Sequence, residues 1–145
     1  YSSNGPSIKE RLGVELVGLE ELFARPDYLS VSVPLSEATH HIVGDRLLRL
    51  MKPTAYLINT ARGPIVDQKA LTKVLQENRI AGAGLDVFEQ EPHAPDTLTA
   101  LPNVVLTPHI GGHTLESHSA MQDCVIANLD AFFAGKPLPY QVRGG

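Results

Sequence analysis

Ala55-Tyr56-Leu57-Ile58-Asn59-Thr60-Ala61-Arg62-Gly63-Pro64-Ile65-Val66-Asp67 decides the fold class of this chain. Residues 55–58 form a short continuous apolar run of the kind found in a parallel strand covered on both faces. At its carboxyl end stands Arg62, followed by a Gly-Pro break. A guanidinium stays protonated and presents a planar fork that fits a carboxylate through two hydrogen bonds. Arg62 is therefore a candidate anion receptor; the plainer alternative is a solvated loop cation. Asp67 can cap the helix that follows, in which Ala70, Leu71, Val74 and Leu75 recur at helical spacing as far as Asn78.

The same alternation extends outward in both directions. Upstream, residues 28–33 are β-rich and end at Pro34, which a strand terminus accepts and a central strand interior does not. Leu47, Leu48, Leu50 and Met51 then form a helical pattern before Pro53. Earlier still, residues 8–12 are expected to form a short helix stopped by Gly13, Val14-Glu15-Leu16-Val17 a short strand, and residues 18–24 a second helix. Downstream, residues 80–88 give a buried strand whose Gly82 and Gly84 admit close approach. A turn-rich stretch at 96–102 leads to a last strand at 104–106. From Thr114, an N-cap with Glu116 in the first turn, the stripe His118, Met121, Val125, Leu129 and Phe132 marks a long amphipathic helix ending at Gly135. Strands alternating with helices predict an α/β fold: part of a doubly wound parallel sheet, Rossmann-like, with a C-terminal amphipathic helix.

With 145 residues, the chain is long enough for one domain with a buried core, and an apolar fraction of 43% argues against disorder. No apolar run approaches the roughly 18 residues of a membrane span, so no membrane partner is expected. The net charge of −4, with Lys and Arg scattered, gives no basic stripe for nucleic acid. Cys124 is the single cysteine; it excludes an intrachain disulfide and suits a reducing compartment such as the cytoplasm. Tyr1-Ser2-Ser3-Asn4 carries neither an initiator Met nor a signal-peptide layout, and an internal start is the expectation.

In open α/β sheets ligands bind outside the carboxyl ends of the strands. Those ends are Val33-Pro34, residues 60–63, Asp86 and residues 109–112. His109 lies between Pro108 and Gly111-Gly112, and is a candidate acid. A carboxylate beside an imidazole favours its charged form, and either Glu91 or Glu89 is near enough in sequence to supply one. Spacing alone leaves that choice open. His109, His113 and His118 do not share a helix face and have no Cys or carboxylate to complete a ligand set, so no metal is expected. His40, His41 and His93 look like solvated surface.

Taken together, residues 32–39, Met51-Lys52, residues 59–67, residues 83–92 and Thr107-Pro108-His109-Ile110-Gly111-Gly112 resemble consecutive signatures of the D-isomer-specific 2-hydroxyacid dehydrogenase family. Their order and spacing also match. The resemblance implies that Arg62 grips the carboxylate of a small 2-oxo acid such as glyoxylate, hydroxypyruvate or pyruvate. It implies that His109 gives a proton to the carbonyl oxygen as hydride arrives from NAD or NADP. It selects Glu91, directly before Pro92, as the carboxylate orienting His109, and Asp86 as a contact of the nicotinamide carboxamide. Backbone at Val33, Pro34, Thr60, Ala61, Arg62, His109, Gly111 and Gly112 would line the dinucleotide.

Two departures from the family pattern follow. The Gly-rich phosphate turn and the N-terminal substrate domain are absent, so the chain is expected to be roughly the C-terminal half of a longer enzyme. Residues 1–112 would belong to the dinucleotide-binding domain, and residues 113–145 would be a long helix and tail returning to the absent domain, with an apolar stripe left uncovered. Ser2 falls about where NAD-specific members carry an acid, which tilts the expectation slightly toward NADP. The full-length protein would be a homodimer. The alternative is a non-catalytic, dinucleotide-sensing module of the same fold.

Overall fold

The computed structural model describes residues 10–141. Four strands, β1 (Tyr28–Val31), β2 (Tyr56–Asn59), β3 (Gly82–Leu85) and β4 (Val104–Leu106), pair in parallel in that spatial order. Their register sets Leu29 beside Leu57, Leu57 beside Ala83 and Ala83 beside Val104, and two residues further on Val31 beside Asn59, Asn59 beside Leu85 and Leu85 beside Leu106. Side chains alternate across a strand, so these rows share one face. Helices α1 (Leu19–Ala24), α2 (Asp45–Leu48), α3 (Gln68–Gln76) and α4 (Asp96–Thr99) accompany the sheet. Phe23, Leu47, Leu48, Leu71, Val74, Leu75 and Leu98 join Leu29, Val31, Leu57, Ala83 and Leu85 in one buried cluster.

The opposite face is open. Tyr28 stacks on Tyr56 with ring centroids 5.6 Å apart, yet Tyr28 is 72% exposed and Val105 69%. The parallel α/β sheet stands as the sequence predicts; cover on both faces of residues 55–58 is met on one face only among the described residues. Gly82 shows why small residues punctuate β3: a β-carbon there would lie 2.5 Å from the Asn103 carbonyl oxygen.

Two segments differ from expectation. Residues 14–17 form no strand: Val14 and Leu16 are exposed, and the Glu15 carboxylate instead takes two hydrogen bonds from Arg25 at 2.9 and 2.7 Å. Alternation without a neighbouring strand does not make one. Within 96–102, α4 forms a single helical turn because Leu98 is drawn fully into the core. The helix expected at 8–12 is seen at 10–12, ahead of Gly13 at φ 64°; its first two residues, like Ser2, lie outside the described ones.

The chain divides into two compact units, Tyr1–His109 and Ile110–Gly145. The second contains α5 (Leu115–Phe133), whose N-cap Thr114 accepts a hydrogen bond from the Ser117 amide at 3.1 Å. Beyond the helix, the Tyr140 backbone exchanges two hydrogen bonds with the Asn128 side chain. Met121, Val125, Leu129 and Phe132 along α5 are each at least half exposed.

The turn after β2 is fitted tightly into the first unit. A β-carbon on Gly63 would lie 1.9 Å from the Phe88 carbonyl oxygen and 2.6 Å from the Glu89 nitrogen. Gly63→Ala should therefore cost about 3 kcal/mol, at the upper end of overpacking losses. Gly44→Ala, whose β-carbon meets only ordinary contact at 3.5 Å, should change the urea midpoint far less. Equal midpoints for the two variants would contradict the close seat of Gly63.

Candidate active site

Asn59 organises the loop that carries Arg62. Its side chain is 1% exposed, accepts from the Ala61 amide at 3.0 Å and donates to the Arg62 carbonyl at 3.1 Å. A buried amide with both ends engaged fixes the backbone on either side of Arg62. The short turn Gly63–Ile65 follows, and Asp67 caps α3 by accepting from Ala70 at 3.0 Å. The Arg62 side chain is exposed, with Nη1 donating to the Ala61 carbonyl at 2.6 Å. Between residues 31–35 and 60–62 lies an open cleft of about 630 Å³, so Val33, Pro34, Thr60, Ala61 and Arg62 share one wall system at the carboxyl ends of β1 and β2.

β3 and β4 deliver the other candidates. Asp86, 6% exposed, takes a hydrogen bond from the Thr107 hydroxyl at 2.5 Å, and its carbonyl accepts from the His109 amide at 2.9 Å. That bond, with a second from the His109 amide to the Thr107 carbonyl, holds His109 at φ 54°. A left-handed backbone costs a residue with a β-carbon roughly 1–2 kcal/mol, and such conformations persist where the surroundings over-determine them. His109 Nδ1 lies 2.6 Å from Glu91 Oε2, while Glu91 Oε1 accepts from the Phe88 amide at 3.2 Å. The two side chains are 47% and 33% exposed, open to a ligand yet fixed on both carboxylate oxygens.

Glu89 faces elsewhere. Its Oε1 accepts from the Gln68 amide at 3.0 Å and lies 2.9 Å from His41 Nε2. His41 is at the surface, as its polar loop suggests, and is also paired with a carboxylate. Nothing in local sequence marks that contact, which the crossing of the chain between β1 and β3 creates. Asn59 was likewise missed; its position as the polar residue ending an apolar strand was the available signal. His113 and His118 meet edge to face at 5.3 Å, and among the described residues no group of three His, Cys, Asp or Glu side chains could hold a metal ion. Gly111 and Gly112 fall in the second unit. No described helix is long and apolar enough to cross a membrane.

The Glu91 carboxyl is held below the ordinary glutamate value. The His109 hydrogen bond is the largest cause, opposed by partial burial and aided by the Phe88 amide and by the charges of His109 and Arg62. Arg62 therefore acts electrostatically on the same carboxylate that orients His109.

The family model for the D-isomer specific 2-hydroxyacid dehydrogenase NAD binding domain matches residues 1–111. The chain belongs to this family. It is 49% identical over 138 residues to a glyoxylate reductase of Thermococcus litoralis, a match covering 95% of this chain and 42% of that protein. Among solved structures, the apo D-mandelate dehydrogenase of Rhodotorula graminis matches with a TM-score of 0.87 at 37% identity, over 99% of this chain and 42% of that one. An NADPH-dependent glyoxylate/hydroxypyruvate reductase of Sinorhizobium meliloti, in complex with NADP and malonate, matches with a TM-score of 0.76 at 39% identity, over 87% and 42%. This member of the dehydrogenase family thus spans about two-fifths of the length of the relatives it matches.

Because the folded-state value of Glu91 lies below its unfolded value, the stability supplied by its bonds is present above the ordinary carboxylate range. It fades as pH falls through the folded value. A carboxyl-carbon NMR titration should place the Glu91 midpoint below the ordinary glutamate value. In His109→Ala, which removes the largest cause, the midpoint should rise; an unmoved midpoint would separate the two side chains in solution.

Proposed function

We propose that this chain forms the dinucleotide-binding side of the catalytic cleft in an NAD(P)-dependent oxidoreductase that interconverts a small 2-oxo acid and its 2-hydroxy acid. The observation carrying this reading is the 2.6 Å contact of His109 Nδ1 with Glu91 Oε2 beside the charge of Arg62. An acid and a carboxylate receptor at one edge of the sheet, here after β4 and β2 with Glu91 following the strand between them, are what reduction of a 2-oxo acid requires of the protein.

The cleft between residues 31–35 and 60–62 falls in the size range of small-molecule and cofactor sites, so it has room for part of a dinucleotide. Val33, Pro34, Thr60, Ala61 and Arg62 would line the cofactor, Asp86 would meet its carboxamide, and Gly111 and Gly112 would add backbone contacts. A bound nicotinamide supplies the hydride. Arg62 binds the substrate carboxylate through its fork. Glu91 holds Nδ1 of His109, so the proton passes from Nε2 to the substrate carbonyl oxygen as that oxygen gains charge, and Glu91 steadies the imidazole on either side of the transfer.

The names borne by the Thermococcus and Sinorhizobium relatives support glyoxylate or hydroxypyruvate as substrate. Ser2, in place of an acid, supports NADP over NAD. Residues 1–112 would act as the dinucleotide-binding part and residues 113–145 as a helix and tail directed to a substrate domain, in a cytoplasmic homodimer.

In the full-length protein, Arg62→Ala should raise KM for glyoxylate and lower turnover together. His109→Ala should lower kcat by about 10²–10⁴-fold, the range of general acid catalysis. Near-wild-type turnover in either variant would reject its role. Comparing kcat/KM for the two cofactors should favour NADPH, and a strong NADH preference would overturn that assignment.

A further inference from the structure

We infer that Glu89 is a positioning residue for the Glu91–His109 pair, acting with His41 as a clamp on the backbone from which Glu91 projects. The inference rests on the acid–base reading above. One carboxylate oxygen, Glu89 Oε1, engages both the Gln68 amide at the start of α3 and His41 Nε2. The Gln68 side chain returns a contact, accepting from the Glu89 amide at 3.4 Å. His41 is itself anchored: its amide donates to the Pro64 carbonyl at 2.8 Å and its backbone sits at φ 51°. Three separate segments therefore meet at Glu89: the loop after β1, the turn leading into α3, and the chain beyond β3.

That meeting point is tied to the chemistry through the main chain. Phe88 and Glu89 form the backbone seat of Gly63, directly after Arg62. The Phe88 amide also donates to Glu91 Oε1, the oxygen not used by His109. Moving residues 88–89 shifts one of the two bonds that aim the Glu91 carboxylate. Misplacement of about 1 Å at a catalytic contact can cost as much as 10²-fold in rate, so the clamp has a kinetic consequence beyond stability. A carboxylate at the first residue of α3 also complements the helix dipole, which is its purely structural contribution.

The test is the separate measurement of kcat and KM for glyoxylate reduction in the full-length protein. Glu89→Ala should lower kcat about tenfold with KM little changed, because the Arg62 loop keeps its own ties to Asn59. Glu89→Gln keeps an acceptor oxygen for Gln68 and should hold kcat near wild type. Asp67→Ala removes the α3 cap and should lower Tm with kcat unmoved. If Glu89→Ala does not fold, Glu89→Asp, which keeps the charge but withdraws it by one methylene, takes its place with the same expectation.

A kcat unmoved in the Glu89 truncation, with only Tm lowered, overturns the clamp. So does a kcat that falls as far in Glu89→Gln, since charge alone would then be acting. Glu91→Gln separates the two readings: if it too leaves kcat unmoved, the acid–base role of the pair fails, and the clamp fails with it.

Discussion

The backbone hydrogen-bond ladder continues past the ends of the strands, and the site depends on that continuation. The Asp86 amide donates to the Asn59 carbonyl, the Thr107 amide to the Leu85 carbonyl, and the His109 amide to the Asp86 carbonyl, at 2.9–3.0 Å. Each of these bonds joins the carboxyl end of one strand to the next. Asn59 governs the Arg62 loop, Asp86 begins the segment leading to Glu91, and His109 ends the last strand's extension. Parallel pairing alone brings these three exits to one edge of the sheet, and the extended ladder fixes their relative height. The cost of ordering loop residues is thus met largely by bonds that the sheet already makes.

Electrostatics then determines what those exits can do. The Glu91–His109 pair is between a third and a half exposed, so its contribution to stability is small by the standards of surface ion pairs. Its value lies in orientation. A carboxylate fixed by an amide on one oxygen and by an imidazole on the other has little rotational freedom, and it determines which ring nitrogen faces a ligand. The His109 hydrogen bond does most to hold the Glu91 carboxyl below its ordinary value, and the Arg62 charge adds to it. Protonating Glu91 would put a donor on one of its oxygens, leaving only the other, a carbonyl oxygen, to accept from the Phe88 amide.

The apolar runs at 55–58 and 104–106 and the helical spacing at 70–75 made the strands and α3 legible, and strand ends followed by Arg62 or by Pro108-His109 marked the exits. Such signals are local: alternation and helical spacing report on burial of a segment's own faces. Residues 14–17 show the limit, since they alternate but pair with no strand, and Arg25 draws Glu15 outward instead. The choice between Glu89 and Glu91 was open on spacing because both follow β3 within a few residues. What separates them is the arrival of His41 from the loop after β1 and of His109 from β4, and neither is encoded next to them in the chain. The exposed face bearing Tyr28 and Val105 was hidden for a related reason: an apolar run states that burial is favourable, not which faces receive it.

Arg62 in this structure donates to the carbonyl of its own neighbour, Ala61, at 2.6 Å. That contact bears on how the residue would meet an anion. A carboxylate offers the fork two parallel bonds and an opposite charge, where the carbonyl offers one bond and no charge. Exchange of the Ala61 carbonyl for a carboxylate is therefore downhill in hydrogen bonding. It leaves the loop intact, because the Ala61 amide and the Arg62 carbonyl remain bound to Asn59. The guanidinium can turn while its backbone stays fixed, and this separation of a mobile head from a pinned base suits Arg62 to receive and release small acids at one place.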